Sequence, residues 1–126
     1  MTSTRPDALI VNGGWTLPCP NGVLARQIVS WPFGQLTLTE SSIVLSARGP
    51  FRRLIPKTVI DLSDVTRVEK LRLWTVGGRH GHVHLRTRKA STDRAAFTTS
   101  RHRVRALLEA LGERGIIIVE RSGVWL

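Results

Sequence analysis

Alternation of apolar and polar positions is the clearest pattern in this chain, and it predicts β-strands. Leu36 and Leu38 alternate with threonines, and Ile43 and Leu45 alternate with other residues after a polar Glu40-Ser41-Ser42. Period-two alternation on both sides of a polar turn is typical of a β-hairpin. We therefore expect the segment GQLTLTESSIVLSAR to form two antiparallel strands joined at the turn.

Further strands are expected on both sides of this hairpin. An apolar-rich segment, residues 23–30, precedes it, with Trp31-Pro32-Phe33-Gly34 read as a connecting loop. After it, we expect strands at residues 58–62, at a segment ending near Trp74, and at residues 82–87 and 95–99. Prolines at 50 and 56 favour a loop between the hairpin and the next strand, because proline removes a ladder donor.

One amphipathic helix follows the predicted strands. Val104, Leu107, Leu108 and Leu111 fall at i, i+3, i+4 and i+7, which forms an apolar stripe on one helix face. Ser100 or Thr99 can cap its start, and Gly112 or Gly115 can close its end. The pattern predicts a mainly β fold: an antiparallel barrel or sandwich of about seven strands, capped by a C-terminal amphipathic helix.

Composition narrows the class of protein. A chain of 126 residues with 41% hydrophobic and 22% charged residues is expected to fold as one domain. Cys19 is the only cysteine, which excludes a disulfide scaffold and a cysteine-rich zinc module. The sequence shows neither a signal-peptide core nor an apolar run long enough to span a membrane. We therefore expect a cytoplasmic protein, located at the inner face of the membrane if it binds lipid.

The net charge of +10 favours anionic partners, which include nucleic acid, phospholipid surfaces and acidic proteins. Of the 19 basic residues, all but Lys57, Lys70 and Lys89 are arginine. An arginine excess of this kind also arises from codon usage. The charge alone therefore indicates a tendency to associate with anions without selecting one partner.

The segments GQLTLTESSIVLSA and IPKTVIDLSDVTRVEK resemble the pleckstrin-homology-like superfold, in its GRAM and bacterial PH-like variety. The shared features are a strand of the form G-x-L-x-L-T, a hairpin, and a segment of apolar spacing before further strands and a helix. The resemblance covers residues 23–115, with an N-terminal extension at 1–22 and an apolar strand or tail at 116–126. It implies a non-enzymatic scaffold for phosphoinositides, other lipids or protein segments, with no cofactor.

The resemblance also implies where a ligand would bind. In the family, the loops after strands one, three and six gather at the end opposite the helix. In this chain those loops carry seven cations, with Trp31, Phe33 and Phe51 beside them, and these cations form the expected site for an anionic phospholipid surface: Arg48, Arg52, Arg53, Lys57, Arg88, Lys89 and Arg94. The short first loop lacks the basic residues with which phosphoinositide-binding members hold the headgroup.

Two alternatives to lipid binding remain open. The first is a protein-interaction module or a homodimer, with Phe51, Ile116, Ile118 and Trp125 as interface residues, because Ile116 to Val119 are four β-branched residues in a row. The second is a non-specific nucleic-acid binder, which the charge favours although the sequence contains no recognition motif. Arg101, Arg103 and Arg105 near the start of the helix are its strongest feature.

The alternating histidines at 80, 82 and 84 raise the question of a metal site. If residues 82–87 form a strand, His82 and His84 share its polar face with Arg86, while Val83 and Leu85 face the core. Two imidazoles are an incomplete zinc site, and the neighbouring arginines repel a dication. We expect no bound metal. We also expect no catalysis, because the sequence shows no catalytic motif and gives Cys19 no base.

Overall fold

The computed structural model describes residues 8–18, 25–50, 52–73 and 80–123. Eight strands and one helix are formed by these residues, and the strands are β1 Leu9–Pro18, β2 Ala25–Leu38, β3 Ser42–Ala47, β4 Thr58–Asp61, β5 Val65–Leu73, β6 His80–Thr87, β7 Ala95–Ser100 and β8 Ile118–Gly123. Helix α1 spans Arg101–Glu113, between β7 and β8. Short 3-10 turns occupy Arg52–Leu54 and Leu62–Asp64.

The strands form one continuous sheet in the order β4-β3-β2-β1-β7-β6-β5-β8. Every neighbouring pair is antiparallel except β5 and β8, which run parallel. Strand β1 joins the two halves of the sheet, because it pairs with β2 along its length and with β7 through residues 14–16. The prediction of a mainly β fold with a C-terminal helix is confirmed.

Alternate residues of the strands build the apolar core. Leu36, Leu38, Ile43 and Leu45 are buried, as their period-two spacing predicts. Trp15 lies among them, and its indole N–H donates a hydrogen bond to the Ser46 carbonyl oxygen at 2.8 Å. A buried indole that keeps a hydrogen-bond partner avoids the free-energy cost of an unsatisfied donor.

Helix α1 packs against β1, β6 and β7 through the predicted stripe. Val104, Leu107 and Leu111 are buried, and Leu108 packs partly against the core. The Ser100 hydroxyl caps the start by accepting a hydrogen bond from the Arg103 amide at 3.4 Å. At the other end, Gly115 adopts a φ of 81°, and its amide donates to the Gly112 carbonyl. Glycine takes this left-handed conformation at little cost, so the helix ends there.

The structure corrects three expectations from the sequence. The N-terminal segment 1–22 contains β1, so the sheet begins before residue 23. Residues 31–34 are not a loop between strands but part of β2, where residues 30–33 bulge between the pairs Val29–Trp15 and Gly34–Gly13. The C-terminal strand adds to the chain's own sheet in parallel with β5, whereas we expected antiparallel strands only.

Candidate functional site

The loop between β3 and β4, residues 48–57, is fixed to the neighbouring strand β2 by its backbone. The Arg48 amide donates to the Phe33 carbonyl oxygen at 2.8 Å, and the Arg52 amide donates to the Gly49 carbonyl oxygen at 3.3 Å. Gly49 has a φ of 89°, a conformation that side chains other than glycine rarely adopt. The loop therefore leaves β3 through a fixed turn beside Phe33.

This loop concentrates exposed positive charge. Arg48, Arg52, Arg53 and Lys57 are all exposed, and the sequence contains no acidic residue between Glu40 and Asp61. Cations that lie apart from acidic residues keep their full field for an external anion.

Large apolar side chains in this loop and in the adjoining part of β2 are also exposed. Leu54 is 77% exposed, Trp31 is 54% exposed, and Phe33 is 49% exposed. The Phe33 ring packs over Gly49, since a Cβ placed on that glycine would lie 3.2 Å from Phe33 Cδ1. We call this surface the basic tip; its described members are Trp31, Phe33, Arg48, Arg52, Arg53, Leu54 and Lys57. Sequence reasoning missed Leu54, although an apolar residue between two prolines and after two arginines is the signal that identifies it.

The remaining predicted cations belong to the turn between β6 and β7. The Arg88 amide donates to the Asp64 carbonyl oxygen at 2.9 Å, and Lys89 Nζ lies 3.5 Å from Asp64 Oδ2. Arg94 is exposed, and its amide donates to the Leu85 carbonyl oxygen. Asp64 follows β4, whereas the basic tip precedes β4. The contacts of Arg88 and Lys89 thus fix them near the end of β4 that lies farther from the tip.

The predicted interface residues divide between described and undescribed parts of the chain. Ile116 packs partly against the core, and Ile118 is exposed in β8, where it pairs with Val68 of β5. Phe51 and Trp125 lie outside the described residues. Of the apolar segment 116–126, residues 118–123 pair with β5 of the chain's own sheet.

The histidine strand has the predicted orientation. Val83 and Leu85 are buried, and His82 and His84 are half-buried on the opposite face. His82 Nδ1 lies 2.9 Å from the Thr98 hydroxyl oxygen. Within the described residues, no group of three or more potential metal ligands lies close enough to hold an ion. This face is a polar strand surface on which His82 contacts Thr98 of β7.

A buried carboxylate, Glu69, lies opposite His84 on the same face and was not singled out from the sequence. It is 4% exposed and accepts a hydrogen bond from Arg67 Nε at 3.1 Å. Arg86 Nη1 lies 4.0 Å from its other oxygen. Arg86 also donates from Nε to Asp93 at 3.0 Å. The four side chains form a network in which positive and negative charges alternate.

The ionisation of Arg86 and Asp93 reflects this network. The hydrogen bond from Arg86 to Asp93 raises the pKa of Arg86, and that effect exceeds the opposing one of desolvation. Desolvation alone would raise the pKa of Asp93, but the hydrogen bonds from Arg86 and from the Thr87 amide outweigh it and hold that pKa below its usual value. Both groups are therefore charged at neutral pH.

Comparison with known proteins supports the fold. No family model matches the chain, and neither does any curated protein sequence. Among solved structures, the hSac2 domain from the human phosphoinositide phosphatase Sac2 is similar, with a TM-score of 0.55 and 14% sequence identity. The match covers 93% of this chain and 79% of that chain. At this identity the likeness concerns the fold alone. Among the described residues, no helix has the length and apolarity that a membrane span requires.

Proposed function

We propose that this protein is a non-enzymatic binding module that engages anionic phospholipid surfaces through the basic tip. The observation that carries the proposal is the proximity of exposed cations to exposed apolar side chains in one loop region. Arg52, Arg53 and Leu54 are consecutive and all exposed. A membrane interface accepts both classes at once, because the headgroups attract cations while the acyl boundary accepts apolar groups.

The electrostatic free energy that the tip's cations contribute supports binding to a membrane surface. Each basic residue near an anionic leaflet contributes about 1 kcal/mol. The four cations of the tip thus supply roughly 4 kcal/mol, and partial insertion of Leu54 or Trp31 adds to that. A diffuse set of exposed cations matches the charge density of a leaflet better than it matches one particular headgroup. A cytoplasmic location at the inner face of a membrane belongs to this proposal, because anionic lipids are concentrated there.

The similar solved structure is compatible with a lipid partner. The hSac2 domain comes from a phosphoinositide phosphatase, which acts on a lipid headgroup. The likeness concerns the fold alone, so the lipid proposal for this chain rests on its own exposed residues.

The test compares binding to vesicles of neutral phosphatidylcholine with binding to vesicles that also contain phosphatidylserine. We expect cosedimentation with the anionic vesicles only. Charge reversal at Arg52→Glu with Arg53→Glu should lower the affinity by about tenfold or more. The matched control is Arg101→Glu with Arg103→Glu, two exposed arginines of α1 that give the same change in net charge. Equal binding to neutral vesicles would contradict the proposal, and equal losses in the two variants would show that only net charge matters.

A protein-interaction module is the second candidate function. Ile117, Ile118 and Val119 are exposed at the start of β8, which is an edge of the sheet formed by the described residues. An apolar edge strand can accept a strand from an acidic or neutral partner protein. If a variant without β8 still binds the anionic vesicles, vesicle binding does not require β8. The role of β8 in protein interaction would then be distinct from the role of the basic tip.

A further inference from the structure

The outer face of the first four strands carries an apolar row that crosses the sheet. Register places Val59 beside Val44, Val44 beside Thr37, and Thr37 beside Ile10. Directly paired residues point to the same side of a sheet, and this side is opposite to the core residues Leu36 and Leu45. Val59 is 60% exposed and Ile10 is 58% exposed, with the other two half-buried between them.

The neighbouring row on the same face is polar but uncharged. It consists of Ser46, Gln35 and Asn12, which are paired across β3, β2 and β1; Ser46 is buried and the other two are half-buried. The Gln35 amide donates to the Asn12 side-chain oxygen at 3.2 Å, so these two groups satisfy each other. The chain contains 19 basic and 9 acidic residues, yet these two rows contain none. Contact through these two rows requires no desolvation of charge.

Opposite charges lie at the two ends of this face along β4. Lys57 precedes the strand and Asp61 ends it, and both are exposed. They fall at the same alternation as Val59, hence on the same side of the sheet, with about 13 Å between them along the strand. The Asp61 side chain makes no capping hydrogen bond in the turn that follows. The face therefore has a positive end, an apolar middle and a negative end.

We propose that a second copy of this chain docks on this face, sheet against sheet, around a two-fold axis that runs along the apolar row. Rotation by 180° about such an axis keeps each strand over its own counterpart but reverses the strand direction. It places Lys57 of each copy over Asp61 of the partner subunit, and Val59, Val44 and Ile10 over the same residues of the partner. An isologous contact requires this kind of self-complementarity.

The size of the face predicts a transient dimer. Four strands at about 4.8 Å spacing and about five residues of length give roughly 300 Å² of planar surface. A stable interface buries about 800 Å² per partner, so this contact alone predicts weak association. The net charge of +10 opposes association elsewhere on the surface, which favours this face, where one lysine and one aspartate balance, as the point of approach.

The test measures the mass of the full chain by sedimentation velocity over a concentration series. We expect a monomer–dimer equilibrium, and we expect Asp61→Lys and Lys57→Asp each to raise the dissociation constant by about tenfold or more. A mixture of the two variants should restore the dimer, because a mixed pair contains lysine opposite aspartate at both ends. A variant that combines both reversals should also dimerise like the unmodified chain.

Controls keep this proposal separate from the lipid proposal. Glu109→Lys and Lys70→Asp reverse exposed charges on α1 and β5, away from the face, and should leave the dissociation constant unchanged. Arg52→Glu with Arg53→Glu should weaken vesicle binding by about tenfold or more while leaving the dimer intact. Thermal melting confirms that each variant is folded. A chain that stays monomeric at the highest concentration, or single reversals without effect, or a mixture that fails to restore the dimer, would each overturn the proposal.

Discussion

Asp93 fixes the start of the turn between β6 and β7 with its carboxylate. Its Oδ1 accepts hydrogen bonds from Arg86 Nε at 3.0 Å and from the Thr87 amide at 2.9 Å. Replacement Asp93→Asn keeps the shape but removes the charge, so the Arg86 guanidinium loses the nearer of its two carboxylates. We expect a loss of about 1–2 kcal/mol in the free energy of unfolding at neutral pH, measured by chemical denaturation.

The pKa of Asp93 determines the pH range in which Asp93→Asn is less stable than the unmodified chain. The pKa of Asp93 is lowered in the folded chain, so its contribution to stability is complete above the ordinary aspartate pKa of about 4. The contribution is lost as the pH falls through the lower value of the folded state. The difference in unfolding free energy between the unmodified chain and Asp93→Asn should therefore be constant from neutral pH to about 5 and shrink below 4. A difference that grows on acidification would contradict this sign.

At Gly81, strand β6 approaches helix α1 closely. A Cβ at Gly81 would lie 2.6 Å from Val104 Cγ2, closer than packed atoms allow. We expect Gly81→Ala to lower the free energy of unfolding by about 1–3 kcal/mol through overpacking. In the double variant with Val104→Ala, part of that loss should be recovered, and a double-mutant cycle measures the coupling.

Gly112→Ala is the matched control for this prediction. A Cβ at Gly112 would meet Ile118 Cδ1 at 3.9 Å, an ordinary contact, and the residue lies within α1. Alanine is favoured over glycine inside a helix by up to about 1 kcal/mol, so this variant should be slightly more stable. Equal destabilisation by both glycine replacements would show that contact with Val104 is not the cause.

Arg114 connects two elements, the end of α1 and the turn between β2 and β3. Its Nε donates to the Thr39 carbonyl oxygen at 2.9 Å, and its Nη1 donates to the Ala110 carbonyl oxygen at 2.9 Å. Arg114→Met retains the apolar stem but leaves both carbonyl groups without this donor. We expect a loss of about 1–2 kcal/mol in the free energy of unfolding. Arg105→Met, at an exposed position of the same helix, should change stability by less than about 0.5 kcal/mol.

Strand β8 contributes to the sheet as an element. Six residues, from Ile118 to Gly123, pair with β5, and Ile116 packs partly against the core. Deletion of residues 116–126 should therefore lower the melting temperature, because it removes a ladder and exposes the β5 edge. The dissociation constant of the dimer should stay unchanged, since the proposed dimer face lies on the other half of the sheet. An unchanged melting temperature would contradict a structural role for β8, and weaker association would indicate that β8 pairs between chains.

Local patterns predicted the elements whose spacing is undisturbed. The β2–β3 hairpin and the helix follow directly from their periodicity and their buried residues. Strand β1 was missed because Gly13-Gly14 interrupts the alternation of Val11, Trp15 and Leu17, and glycine pairs favour turns. In the fold, Gly13 is required by a close approach, since a Cβ there would lie 2.2 Å from the Thr98 carbonyl oxygen. A tertiary contact of this kind leaves no local signal.

At the scale of the whole molecule, the sequence predicted which cations lie together within one loop, but not how cations of different loops lie relative to one another. The four cations of the β3–β4 loop lie within ten residues of one another in the sequence, so their proximity follows from the chain itself. Arg88 and Lys89 are held by Asp64, a contact that depends on the register of β5 against β6. The apolar row follows only from three strand registers taken together, which the alternation within single strands does not supply.

The basic tip combines two forces that respond differently to salt, and this difference predicts how the molecule binds a membrane. Screening shortens the reach of charge from about 10 Å at 0.1 M salt to about 3 Å at 1 M, but it does not weaken apolar insertion. Leu54→Ser should therefore lower the affinity for anionic vesicles by a similar factor at every salt concentration. The factor is about tenfold, because partial insertion of the leucine side chain contributes at the lower end of the range of about 1.5–3 kcal/mol that full burial gives.

The effect of Arg52→Glu with Arg53→Glu should instead shrink as salt rises, since it acts through the screened field. Ile117→Ser is the control for Leu54→Ser, because it removes an exposed apolar side chain of the β8 region rather than of the tip. Cosedimentation at three salt concentrations measures all four proteins against the same vesicles. If Leu54→Ser binds like the unmodified chain, the tip attracts the leaflet by charge alone and does not insert. If Ile117→Ser loses as much affinity as Leu54→Ser, the membrane contacts the chain through a different surface.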